Sequence, residues 1–163
     1  MRRALLAALL LTGCGQQPGA ATGESAGPEL ERAAIAAGVV RDPDATDIVG
    51  LYARDTDRVC IAPARVGYRI GASIDFGGGQ MCSATGTLAR SGDALRVDFG
   101  NDCAFEARLD GDTIVFPGSL PAGCDRLCTD RASLTALEAE LQSDAEAEAV
   151  ALRDIKGRPL CSS

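Results

Sequence analysis

The 163-residue sequence predicts a mainly β domain of the α+β class, an antiparallel meander of about seven strands forming a small barrel or curled sheet, with a short N-terminal helix and a C-terminal helical pair. Three observations predict it. Between residues 48 and 116, short β-prone segments are separated by Gly, Asp, Asn and Ser every 8 to 15 residues, the spacing of hairpins rather than of helical crossovers. Within a segment the pattern alternates: Leu95, Val97 and Phe99 fall on one face, Arg96 and Asp98 on the other. Finally, 46% hydrophobic and 24% charged residues make an ordinary globular composition at a length suited to one domain.

Taken in order, the chain opens with Met1-Arg2-Arg3, a cationic start, and an unbroken apolar run over residues 4–11. A membrane helix needs about 20 apolar residues, so this run has the length of a signal-peptide core. The residues that follow, Leu11-Thr12-Gly13-Cys14, resemble the lipobox of bacterial lipoproteins. The resemblance implies that residues 1–13 are a lipoprotein signal peptide, cleaved before a Cys14 that carries diacylglycerol and a further acyl chain such as palmitate. Each buried methylene contributes about 0.8 kcal/mol, so a multiply acylated cysteine anchors without a transmembrane helix. Gly15 stands where an aspartate would favour inner-membrane retention in the enterobacterial families this resembles. Outer membrane, facing the periplasm, is the expected location.

Residues 14–28 read as the lipidated cysteine and a flexible tether, mostly of Gly, Pro, Ala, Gln, Ser and Thr, with a reach of about 20 Å. The rest, 29–163, reads as a single disulfide-stapled, β-rich domain. Its first element is a helix over 29–37: Pro28 suits a first turn, Glu29 and Glu31 favour the positive end of the dipole, and Gly38 supplies the stop. Leu30, Ala33, Ala34 and Ala37 share one face of it, and 41–47 form a turn-rich loop. Strands are expected at 48–54, 58–62, 67–76, 80–90, 94–99, 103–109 and 113–116. Ser91-Gly92-Asp93 and Asp110-Gly111-Asp112 look like two copies of one hairpin turn, and Gly77-Gly78-Gly79 like another turn. Closing the sheet removes the unpaired edges that invite aggregation. Residues 117–130, with two prolines, two glycines and two cysteines, read as a stapled corner. Beyond it, Leu134, Leu137 and Leu141 lie on one helical stripe and Ser143 with Glu146 makes a capping box, so two helices joined at Ser143 are expected.

Cys60, Cys82, Cys103, Cys124, Cys128 and Cys161 are an even six in a chain expected to be exported, which predicts three disulfides. Six cysteines allow 15 pairings. Cys161, near the C-terminus, has to reach back into the body. The Cys124–Cys128 spacing is CxxxC, neither the CxxC of a structural zinc site nor that of a thioredoxin-like redox centre, so no metal is expected there.

Little in the sequence is built for chemistry. Histidine and tryptophan are absent and only 4% of residues are aromatic, which removes imidazole acid–base catalysis and any serine–histidine triad. Gly77-Gly78-Gly79 lacks the Lys-Ser/Thr of a phosphate loop. Asp42, Asp44, Asp47, Asp55 and Asp57 have calcium-loop spacings without the glycine and distal glutamate of an EF-hand. Asp98, Asp102, Glu106 and Asp110 are the carboxylates, on consecutive strands and turns, of which two can in principle stand at glycosidase separation. The net charge of minus 7, near minus 9 without Arg2 and Arg3, repels nucleic acid. No enzyme, no cofactor and no catalytic residue are expected.

What remains is binding. In layout, the anchor, strand number and cysteine-bearing strands resemble small β-barrel periplasmic inhibitor lipoproteins, which act on proteases and lysozymes. That resemblance implies a non-catalytic role on a periplasmic protein, and acidity suits a cationic partner. Two alternatives stand beside it: an assembly role in the envelope through the terminal helices, and carriage of a small apolar ligand inside the barrel.

Overall fold

The computed structural model describes residues 26–37 and 47–162, in two units divided between Thr46 and Asp47. Cys14, the tether through residue 25, Asp42 and Asp44 lie outside the described residues. The first unit contributes helix α1, Ala26–Ala36. It starts three residues before the expected point, with Pro28 inside its first turn, where a missing N–H costs nothing. The predicted apolar face stays largely open, Leu30 being 73% exposed.

The second unit is a closed antiparallel barrel of eight strands in sequential order. They are β1 Gly50–Arg54, β2 Asp57–Pro63, β3 Tyr68–Asp75, β4 Met81–Ser91, β5 Ala94–Asp98, β6 Ala104–Asp110, β7 Thr113–Val115 and β8 Glu138–Ser143. All seven expected strands are present, and β8 closes the barrel by pairing with both β7 and β1. Helix α2, Glu146–Ala151, follows.

The alternation behaves as the sequence predicts: Leu95 and Val97 are fully buried and Phe99 nearly so, while Arg96 and Asp98 face solvent. Apolar side chains therefore fill the interior, with Ile61, Ile70, Leu95, Ile114, Phe116 and Tyr52 among the most buried. The buried Tyr52 hydroxyl donates to the Ile48 carbonyl oxygen at 2.9 Å, so its one polar atom is satisfied. Apolar inside and charged outside is the inverse of a membrane-spanning barrel. None of the described helices is long and apolar enough to cross a membrane. The two look-alike turns are alike in fact: Ser91 pairs with Ala94 and Asp110 with Thr113, and Gly92 and Gly111 both sit at φ 60°. A tight hairpin whose first central residue is left-handed needs glycine there.

The C-terminal helical pair requires correction. Its first member is strand β8, not a helix. Leu134 lies in a turn closed by the Leu137 N–H on the Leu134 carbonyl oxygen at 3.4 Å, and Ala136 has φ 54°. From Leu137 the period becomes two: Leu137 and Ala139 are buried while Glu138 and Glu140 point outward. Leu, Ala and Glu are good helix formers, but β1 and β7 both lacked a second neighbour, and ladder bonds to two strands outweigh helix propensity. The capping box does not form either. The Ser143 hydroxyl receives the Ala145 N–H at 3.2 Å, and Ala145, not Ser143, is the N-cap of α2.

Candidate functional site

The six cysteines beyond Cys14 are all joined, as Cys60–Cys161, Cys82–Cys128 and Cys103–Cys124. Two of the bridges tie the corner, residues 117–130, back to the sheet, at Cys82 in β4 and at Cys103 just before β6. Within it a 3₁₀ segment, Ala122–Leu127, carries Cys124, and Thr129 bonds back to Met81 through N–H to carbonyl oxygen at 2.8 Å. The third bridge ties the C-terminal tail to β2. None of these sulfurs is available for chemistry while paired.

The four candidate carboxylates do not converge. Asp98 accepts the Gly100 N–H at 2.7 Å and so makes the β5–β6 turn. Asp110 pairs with Arg108 at 2.7 Å, and Asp102 faces Arg126 at 3.9 Å. Glu106 stands exposed across from Arg96. Asp55 and Asp57 lie at the β1–β2 turn; burial and the Asp55 charge push the Asp57 carboxyl up, against Arg58 and Arg54. Among the described residues no three metal-capable side chains gather. Residues 77–79 form a turn as expected, with the Gln80 N–H on the Gly77 carbonyl oxygen at 3.0 Å.

The barrel wall has two characters. Over β2 and β3 the outer face is roofed by α2 and the tail, which bury Cys60, Ala62, Ala149, Leu160 and Cys161 together. Asp154, unremarked in the sequence, fastens this roof. Its side chain is 2% exposed and receives the Ser83 hydroxyl at 2.9 Å, the Arg158 guanidinium at 2.7 Å and the backbone N–H groups of Lys156 and Arg158 at 2.9 and 2.8 Å. Burial alone would raise its pKa, but these donors outweigh it and lower the carboxyl to about 2. A lone Asp before a Gly-Pro-containing tail gives no sign in sequence that it will be buried.

Over β5, β6 and β7 the outer face is open, and here the barrel has a seam. The ladder between β6 and β7 holds only three pairs, Arg108 with Val115, Leu109 with Ile114 and Asp110 with Thr113. Past Val115 the chain leaves: the Phe116 N–H goes to the Leu137 carbonyl oxygen at 2.8 Å, Pro117 has no N–H, and its carbonyl accepts from Ala136 at 3.0 Å. The orientation of β6 follows from Leu109, whose N–H bonds toward β5, to Asp93, at 2.8 Å. Odd-numbered residues of β6 therefore bond to β5 and even-numbered ones face β7. Arg108 and Asp110 find β7 there. Ala104 and Glu106 face the seam, with no paired strand among the described residues.

The seam forms a groove of about 350 Å³ lined by Ala94, Glu106, Ala107, Arg108, Val115, Phe116, Pro117 and Asp93. Beneath it Phe105, half-buried although it points inward, packs edge-on against Phe116 with ring centroids 4.9 Å apart. The site thus combines an apolar floor with unpaired backbone donors and acceptors, a combination suited to recognising extended chain. A larger polar groove, about 530 Å³, runs along β1 and β8, but its two arginines are turned on the protein itself. Arg54 pairs with Glu138, and Arg58 donates to the carbonyl oxygens of Asp55 and Asp57. Only Pro117, following a β-prone run, could have signalled the seam in sequence. No protein-family model, no curated protein and no solved structure matches this chain.

Proposed function

We propose that this protein is a lipid-anchored envelope lipoprotein, held at the outer membrane facing the periplasm through Cys14, and that it acts by binding a periplasmic protein without catalysis. The observation that carries the reading is the cysteine pattern: one cysteine in Leu11-Thr12-Gly13-Cys14, and six others that all pair with one another. Stable disulfides belong to an oxidising compartment. Side chains packed through the barrel interior favour recognition at the surface over a ligand carried inside. With β8 in place of a helix, the terminal helices of the assembly alternative are α1 and the short α2, and the exposed Leu30 on α1 is the observation that favours it. The test is metabolic labelling with palmitate of cells making the full chain and its Cys14→Ala variant. Label on the mature protein, lost in the variant, and no free thiol in the recovered body are expected. An unlabelled parent protein, or thiols that titrate without reductant, sinks the reading.

Inhibition of an envelope hydrolase is the form of binding that Phe76 favours. It is 61% exposed at the β3–β4 hairpin, beside the bare backbone of residues 77–79. Purified full chain is expected to slow an envelope protease or lysozyme, and Phe76→Ser to lose that effect. Equal inhibition by parent and variant assigns the contact elsewhere.

A further inference from the structure

We infer that the β6–β7 seam takes up an extended basic segment of a partner protein as an added strand. This deepens the binding reading and rests on it, although not on the lipid at Cys14, so failure of the palmitate experiment leaves the present test intact. The argument starts from the backbone. Ala104 and Glu106 each turn an N–H and a carbonyl toward a side where β7 has ended, and Pro117, which would come opposite Glu106, cannot donate. An incoming strand supplies the missing partners.

Side chains then set what kind of strand. Strand alternation puts the residue opposite Glu106 on the outer face beside that carboxylate, and its neighbour over the Phe105–Phe116 pair. Arg96, the cation across from Glu106, lies on β5, away from the seam, and Arg108 is engaged by Asp110. On the seam side, Glu106 is therefore the charge with no ion-pair partner among the described residues, with Asp93 also lining the groove, in a chain whose net charge is minus 7. An arginine or lysine alternating with an aliphatic residue meets both demands.

The test follows amide hydrogen exchange by NMR on the intact, oxidised chain. Without ligand, the Phe105 and Ala107 amides, bonded to β5, are expected to be protected, and the Ala104 and Glu106 amides to exchange fast. Adding a capped peptide of alternating arginine and valine to about nine-tenths saturation or above should slow the Glu106 amide by about tenfold or more, because only the unbound fraction exchanges. The same peptide N-methylated at alternate residues, and one with glutamate for arginine, should fail. Glu106→Pro removes the seam-facing N–H together with the carboxylate and is tolerated at an edge position; it should abolish binding while the thermal melt stays cooperative, and Glu106→Gln, which keeps the N–H, should lose only the preference for the basic over the acidic peptide. If it does not fold, exchange in the parent chain still decides.

Four outcomes would overturn the proposal. These are a Glu106 amide already protected in dilute protein, protection that appears only as protein concentration rises and so reports a second copy, binding that leaves Glu106 unprotected, and equal binding of the methylated or acidic peptide.

Discussion

Across β2 and β3 the barrel wall is roofed; across β5 and β6 it is bare, and the outward positions of the strands account for the difference. On the roofed wall they carry Cys60, Ala62, Gly71 and Ser73, side chains small enough for the tail and α2 to lie against. On the bare wall they carry Arg96, Asp98, Glu106 and Arg108, which hydrate well and need no cover. In burial terms, residues 59–62 and 70–73 are buried without interruption, whereas β5 alternates buried and exposed. A strand buried on both faces loses its polar alternation, one buried on a single face keeps it. In a domain with 4% aromatic residues, the roof adds a second, smaller apolar layer outside the main core.

The sharpest way to break this contrast is to unfasten the roof. Cys60 and Cys161 are 101 residues apart, and loop-closure entropy gives a bridge of that span about 4 to 5 kcal/mol. Replacing both by alanine should lower the thermal midpoint more than replacing Cys103 and Cys124, which are 21 residues apart and worth about 3 kcal/mol on the same basis. A larger loss from the shorter bridge would mean that the corner, not the roof, is the more important closure. Next in size is Gly71→Ala. A Cβ at Gly71 would stand 2.6 Å from the Leu160 Cβ, 2.9 Å from the Leu160 carbonyl oxygen and 3.0 Å from the Cys60 sulfur. Backbone and a disulfide yield little, so a cost toward the upper end of about 1 to 3 kcal/mol is expected in chemical denaturation, with faster proteolysis of the tail. An unchanged midpoint would show the tail to be loosely seated.

Asp154 gives the contrast a pH dependence. Its carboxyl is held at about 2, below the ordinary 3.8, so the folded state prefers the ionised form. That preference contributes fully above the unfolded value and disappears as pH falls through about 2. It corresponds to about 2 kcal/mol lost mainly between pH 4 and pH 2. Asp57, whose pKa is raised, works in the opposite sense and gains stability on protonation. Asp154→Asn keeps the side chain's size, should cost about 2 kcal/mol near neutrality, and should flatten the acid limb of a stability curve. If parent and variant fall in parallel below pH 4, the carboxylate is not what fastens the roof.

The walls were legible in sequence to different degrees. Hairpin spacing and the Leu95-Val97-Phe99 alternation located every strand from β1 to β7, because each is a local property of a few residues. Strand β8 was not legible: Glu138–Ser143 is built of helix formers, and only the need of β1 and β7 for a shared neighbour selects the strand. Disulfide partners are likewise non-local, and six cysteines carry no pairing information until the meander places Cys82 beside Cys128. The roof was foreshadowed by Val59-Cys60-Ile61-Ala62, an uninterrupted run that alternation alone would leave unexplained. The seam depends on where β7 stops, after three residues, which Pro117 enforces but composition does not announce.

The smallest expected effect is on the bare wall itself. Arg108 meets Asp110 at 2.7 Å, but the two side chains are 59% and 64% exposed, so water and salt screen the pair and holding two mobile side chains together offsets much of the attraction. Arg108→Ala should therefore change the midpoint by no more than about 0.5 kcal/mol, and less at high salt. The same substitution takes away the cation that engages Asp110 next to the seam and leaves the backbone of β6 untouched. Stability and peptide uptake should then part company: little change in the melt, but tighter binding of the basic peptide at low ionic strength, an advantage that salt erases. A large fall in stability would show that Arg108 supports the barrel through packing of its aliphatic stem, and the bare wall would then hold the fold together as the roofed one does.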